Sequence, residues 1–81
     1  MNKLASLHWS CRRGMLELDV ILGRFLAESY PTLPTAMQDL FEQLLQCEDQ
    51  DLFIWLTGKS LPQDPDIQKI IEKIRQNALP T

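Results

Sequence analysis

The chain has 81 residues, 44% of them apolar and 23% charged, with a formal net charge of −3. That length predicts one domain over residues 1–81, burying roughly 60% of its unfolded surface, enough for a thin core but no deep enclosed cavity. The apolar share excludes a disordered chain, and the acidic balance argues against nucleic-acid binding, which needs a basic face.

Taken in chain order, the opening MNKLASLHWSCRRG has neither the apolar run nor the small-residue cleavage site of a secretory signal. No stretch approaches the roughly 18 apolar residues of a membrane span. Two cysteines, Cys11 and Cys47, without other secretory features, read as reduced thiols of a cytoplasmic protein. A first helix is predicted over residues 3–12, with Leu4, Leu7, His8 and Cys11 on one face. Trp9 falls toward the rim of that face. A second helix, residues 17–29, places Leu18, Ile21, Leu22, Phe25 and Leu26 together.

After the linker YPTLP, a third helix is expected from Thr35 to about Cys47, with Met37, Leu40, Phe41, Leu44 and Leu45 as its stripe. Thr35 and Gln38 have the spacing of a capping box. The fourth helix begins near Asp49, carries Leu52, Phe53, Trp55 and Leu56, and ends at Gly58, a residue suited to a left-handed C-terminal position. The fifth begins at DPD, with Asp64 as N-cap and Pro65 at the first helical position; Ile67, Ile70, Ile71 and Ile74 form its apolar stripe. No alternating pattern flanked by hairpin turns appears. The expectation is an all-α, compact bundle of five short helices.

Catalytic constellations are sparse. His8 is the single histidine, so no serine–histidine–acid site is expected. His8 and Cys11 could pair a base with a thiol, but a packed cysteine beside a partly exposed histidine explains the spacing more simply. His8, Cys11 and Cys47 are too few for a closed zinc site. Gly14, Gly23 and Gly58 match no phosphate-binding or dinucleotide fingerprint.

The segment from Cys11 to Asp19, CRRGMLELD, is the most informative. Helix-end chemistry accounts for part of it. Gly14 suits a left-handed corner ending the first helix. Arg12 and Arg13 suit that helix's negative end, and Glu17 and Asp19 the positive end of the next. Arg13, Glu17, Met15 and Leu16 then read as surplus to folding. With Trp9 nearby, they have the makeup of an interaction hot spot. A small helical regulatory or antitoxin-like interaction module has much the same composition and would differ in the partner it captures.

RGMLE, residues 13–17, resembles the RGxxE signature of the succinate dehydrogenase assembly factor family, the small flavinylation factors of bacteria and mitochondria. The lead-in HWSCRRG and the following LD look like the bacterial branch. A second segment, CEDQDLFIWLTG at residues 47–58, is similar to another recurrent stretch of that family. The resemblance covers residues 7–58. It implies a factor that binds the flavoprotein subunit of succinate dehydrogenase, and in some bacteria fumarate reductase, and promotes covalent attachment of FAD to it. The factor itself would be no enzyme and would hold no stable cofactor or metal. Neither nucleic acid nor membrane insertion is implied, and a monomer or weak dimer is expected. Carried over by position, the implied partner-binding residues are Arg13, Gly14 and Glu17, flanked by His8, Trp9, Arg12 and Asp19. Leu16 departs from the charged residue often found there in bacterial relatives.

Overall fold

A computed structural model describes residues 3–78; residues 1–2 and 79–81 of the expected domain lie outside the described residues. Five α-helices run in order: α1 (Lys3–Ser10), α2 (Leu16–Glu28), α3 (Thr35–Leu44), α4 (Asp49–Leu56) and α5 (Pro65–Ala78). No strand occurs among the described residues, so the all-α architecture expected from the periodicity is the one observed. A 3-10 turn, Tyr30–Thr32, joins α2 to α3 within the YPTLP linker.

The core lies where α5 packs against α2, α3 and α4. Ile67, Ile70, Ile71 and Ile74 are all buried. Their narrow stripe, with Gln68, Lys69, Glu72 and Lys73 on other faces, makes α5 the clearest amphipathic helix of the chain. From α2 come Leu18, Leu22, Phe25 and Leu26; from α3 and just beyond it, Phe41, Leu44 and Leu45; from α4, Leu52 and Leu56. Phe41 sits at the centre. Its ring lies 5.2 Å from that of Phe25 and 5.6 Å from that of Tyr30, both tilted, the edge-directed geometry that aromatic quadrupoles favour.

Helix ends follow local chemistry at two places. Asp64 accepts a hydrogen bond from the Asp66 backbone N–H at 2.9 Å, ahead of Pro65 as the first helical residue. Gly58 has a φ of +83°, and Lys59 N–H returns to the Ile54 carbonyl while Gly58 N–H returns to that of Trp55. This is a Schellman ending, which satisfies two otherwise orphaned carbonyls.

Other expectations are corrected. Thr35 is the first helical residue rather than the cap, and Pro34 occupies the cap without a side-chain hydrogen bond. Gln38 instead donates its amide to the Tyr30 carbonyl at 2.9 Å, bracing the 3-10 turn. Tyr30, read as linker, is buried and its hydroxyl donates to Glu42 at 2.7 Å. Lys3 reaches the same carboxylate oxygen at 2.9 Å, tying the start of α1 to α3. The Lys3 hydrogen bond first, and then that of Tyr30, hold the Glu42 carboxyl below its ordinary range. α1 is also shorter than its periodicity suggested. Leu7 is buried, but Leu4 and His8 on the same face are exposed.

Truncating Phe41 to Ala removes the ring shared by three elements and leaves a cavity. It should cost about 3–5 kcal/mol, read as a lowered midpoint in urea denaturation with little change in slope.

Candidate functional site

The segment joining α1 to α2, residues 11–15, forms a corner whose backbone and side chains are held from opposite sides. Its pivot is Gly14, at φ +81°, a conformation that costs a side-chain-bearing residue roughly 1–2 kcal/mol. Gly14 lies in this segment rather than immediately after α1, which ends at Ser10. Arg12 and Arg13 therefore stand beyond the helix, not in its last turn.

From the α2 side, Asp19 reaches back along the chain. Its carboxylate accepts from the Arg13 backbone N–H at 2.6 Å and from the Gly14 N–H at 3.3 Å. Two successive N–H groups held by one anion make a small nest. Met15, at the cap of α2, has no side-chain oxygen to offer, so the acid one turn into the helix takes over the bonding of the preceding loop.

From the opposite side, the Arg13 side chain enters the protein. Its Nε–H donates to the Ser10 carbonyl at 2.8 Å, and Nη1 donates to the Cys47 carbonyl and to Asp49 Oδ1, each at 3.1 Å. Nη2 donates to the Leu45 carbonyl. These partners come from the end of α1, the link after α3 and the first residue of α4. The chain leaves α3 through tight turns, with Gln46 N–H to Gln43 and Cys47 N–H to Leu44. The carbonyls of Leu45 and Cys47 are left facing the guanidinium. The Arg13 side chain is only 14% exposed. Reading Arg13 as surplus to folding is thus corrected: its planar, five-donor fork joins three segments.

Its neighbours are disposed differently. Arg12 is exposed, with its guanidinium 5.8 Å from the centre of the Trp9 ring, a cation–π arrangement. Trp9 itself is 72% exposed, Leu16 81% and Val20 56%. Leu16 and Val20 are one turn apart on α2, opposite its buried stripe. Glu17 is exposed on the same turn as Leu16 and makes no hydrogen bond or ion pair among the described residues. An open groove of about 230 Å³ between α1 and α2 is lined by His8, Trp9, Cys11, Arg12, Asp19 and Gly23. All seven residues singled out from the sequence therefore belong to one corner. Two others join them: Val20, which continues the outer apolar stripe of α2, and Asp49. The signal for Asp49 was the second family-like segment, which the ion pair brings onto the first.

Cys11 is buried, and that burial pushes its thiol up to about 11, with Arg13 opposing and Asp19 reinforcing. A thiol held protonated near neutrality is a poor nucleophile, which counts against a Cys11–His8 pair. Burial, followed by Asp51, also raises the Cys47 thiol. Among the described residues no group of three or more His, Cys, Asp or Glu is placed to hold a metal ion. No described helix is long and apolar enough to cross a membrane.

Comparison with known proteins decides the family. The family model described as flavinator of succinate dehydrogenase matches residues 5–78. The chain belongs to this family. Curated relatives include the FAD assembly factor SdhE of Pseudomonas aeruginosa, 44% identical over 79 residues, covering 98% of this chain and 94% of the relative. That of Shewanella oneidensis is 40% identical over 80 residues, covering 99% and 98%. That of Coxiella burnetii is 44% identical over 70 residues, covering 86% and 85%. Membership agrees with the resemblance carried by RGMLE and CEDQDLFIWLTG and sets aside the regulatory or antitoxin-like alternative.

Two outcomes follow from the corner's geometry. A Cβ at Gly14 would meet nothing within 4 Å. Gly14→Ala should therefore cost only its backbone strain, about 1 kcal/mol, seen as a drop of a few degrees in Tm. For Cys11, a folded-state pKa above the unfolded one means that its contribution is complete below the unfolded value of 9.0 and lost as pH rises toward about 11. Urea stability should fall over that window in the wild type and fall less steeply in Cys11→Ala.

Proposed function

We propose that this chain is an assembly factor that docks on the flavoprotein subunit of succinate dehydrogenase through the α1–α2 corner and promotes covalent attachment of FAD to a histidine of that subunit. The observation that carries the reading is the juxtaposition, in a member of the flavinator family, of the signature residues Gly14 and Glu17 with exposed Trp9, Arg12 and Leu16. Large aromatic, cationic and aliphatic side chains clustered at an exposed corner are the residue types that dominate protein–protein hot spots. His8 and Val20 extend this face, and Arg13 and Asp19 support it.

The bond-forming chemistry belongs to the subunit and its FAD. The factor contributes position. By binding one arrangement of the subunit's domains better than others, it raises the population in which the histidine stands in attack geometry on the flavin. No nucleophile or metal of its own is required, in keeping with the protonated Cys11 thiol. The factor works in the cytoplasm as a single module, monomeric or weakly dimeric. We propose fumarate reductase as the candidate for a second client.

Deleting the protein from its source cell should abolish most of the covalent flavin fluorescence of the succinate dehydrogenase subunit in a denaturing gel. An undiminished signal would overturn the reading. Glu17→Ala should leave Tm within about a degree of wild type, as expected for an exposed, unpaired side chain, yet lower covalent flavin in the complemented deletion strain. Gly14→Arg should abolish binding to the subunit, because a long side chain would project from the middle of the docking face.

A further inference from the structure

We infer that Arg13, although part of the signature, is a positioning residue rather than a partner contact, and that Asp49 belongs to the same device, a clamp fixing the shape of the corner offered to the flavoprotein subunit. The inference rests on the docking reading above and assigns a role to a residue outside the signature.

Three observations carry it. First, four acceptors already engage the Arg13 guanidinium: Ser10, Leu45, Cys47 and Asp49. Turning outward would forfeit charge-assisted bonds and leave the Leu45 and Cys47 carbonyls without their donor. Second, the adjacent Arg12 shows what an available arginine looks like at this corner: exposed, against a tryptophan ring, and without an ion pair among the described residues. Third, Asp19 holds the same dipeptide by its backbone from the α2 side. Gly14, Leu16 and Glu17 thus stand on a segment fixed from both directions. A docking surface set before encounter loses less conformational freedom on binding. Lysine cannot substitute, because one ammonium on a flexible stem does not reach acceptors spread over three segments.

The test uses the full-length, isotope-labelled chain. In the free protein, the Arg13 Nε–H proton, held by the Ser10 carbonyl, should exchange with solvent at least tenfold more slowly than that of Arg12, and Asp49→Ala, which removes one Nη1 acceptor, should reduce that protection. Equal exchange for the two arginines would overturn the clamp whether or not docking occurs. On titration with the flavoprotein subunit, the Arg13 Nε–H resonance should stay in place while the Trp9 indole N–H shifts. Arg13→Lys, which keeps the charge, should weaken docking about tenfold. Asp49→Ala should weaken it severalfold through the loss of its bond to Arg13. The double variant should bind no more weakly than Arg13→Lys alone, the non-additivity expected of one device. Additive losses, or an Arg13 resonance that moves on complex formation, would refute the proposal. If Arg13→Lys does not fold, the exchange measurement and Asp49→Ala decide the matter. A wild type that keeps a protected Arg13 proton but fails to bind the subunit would sink the docking reading and leave the clamp standing.

Discussion

One guanidinium holds the α1–α2 corner of this molecule together. Arg13 bonds to the last residue of α1, to the link after α3 and to the first residue of α4. Leu7 is the one buried residue of that helix among those described, and an eight-residue helix is too short to persist on propensity alone. Polar contacts near both its ends, Lys3 to Glu42 and Ser10 to Arg13, do what a broad apolar face does for the longer helices. The side of α1 that carries Trp9 is thereby left uncovered.

α2 is used on two sides. Its inner stripe, Leu18, Leu22, Phe25 and Leu26, is core. Its outer stripe begins with Leu16 and Val20, both apolar and both mostly exposed. Exposed aliphatic residues one helical turn apart do nothing for the fold, and in the proposed docking reading a partner covers them. In that reading Glu17 and Arg12 beside them supply charge that orients the encounter.

The sequence was most transparent where the governing contacts are local. Four isoleucines at helical spacing predicted the buried face of α5, and Asp64–Pro65 and Gly58 marked helix ends through side-chain size and backbone conformation alone. It was least transparent where a residue's partner lies far along the chain. Arg13 has a sufficient local explanation, a cation near a helix C-terminus, and nothing in its neighbourhood signals that its acceptors lie 32 to 36 residues away. The Thr35–Gln38 pair failed for a similar reason: the spacing fits a capping box, but Gln38 found the Tyr30 carbonyl across the preceding turn. Leu4 and His8 obeyed the period of a buried face yet are exposed, because only Leu7 and Cys11 on that face are buried. The corner itself was visible because it carried more arginine and more bulk than a turn requires, and the family resemblance fell on the same residues.

The span of the Arg13 bonds also bears on the order in which the molecule can be completed. A contact between residues 13 and 49 closes a long loop, and loop closure is favourable only once intervening structure rewards it. The carbonyls of Leu45 and Cys47 take up their positions when α3 has formed and the chain has turned into α4. Until then Arg13 has only the neighbouring Ser10 carbonyl to hold. The corner's remaining bonds depend on a part of the chain 32 to 36 residues away being folded.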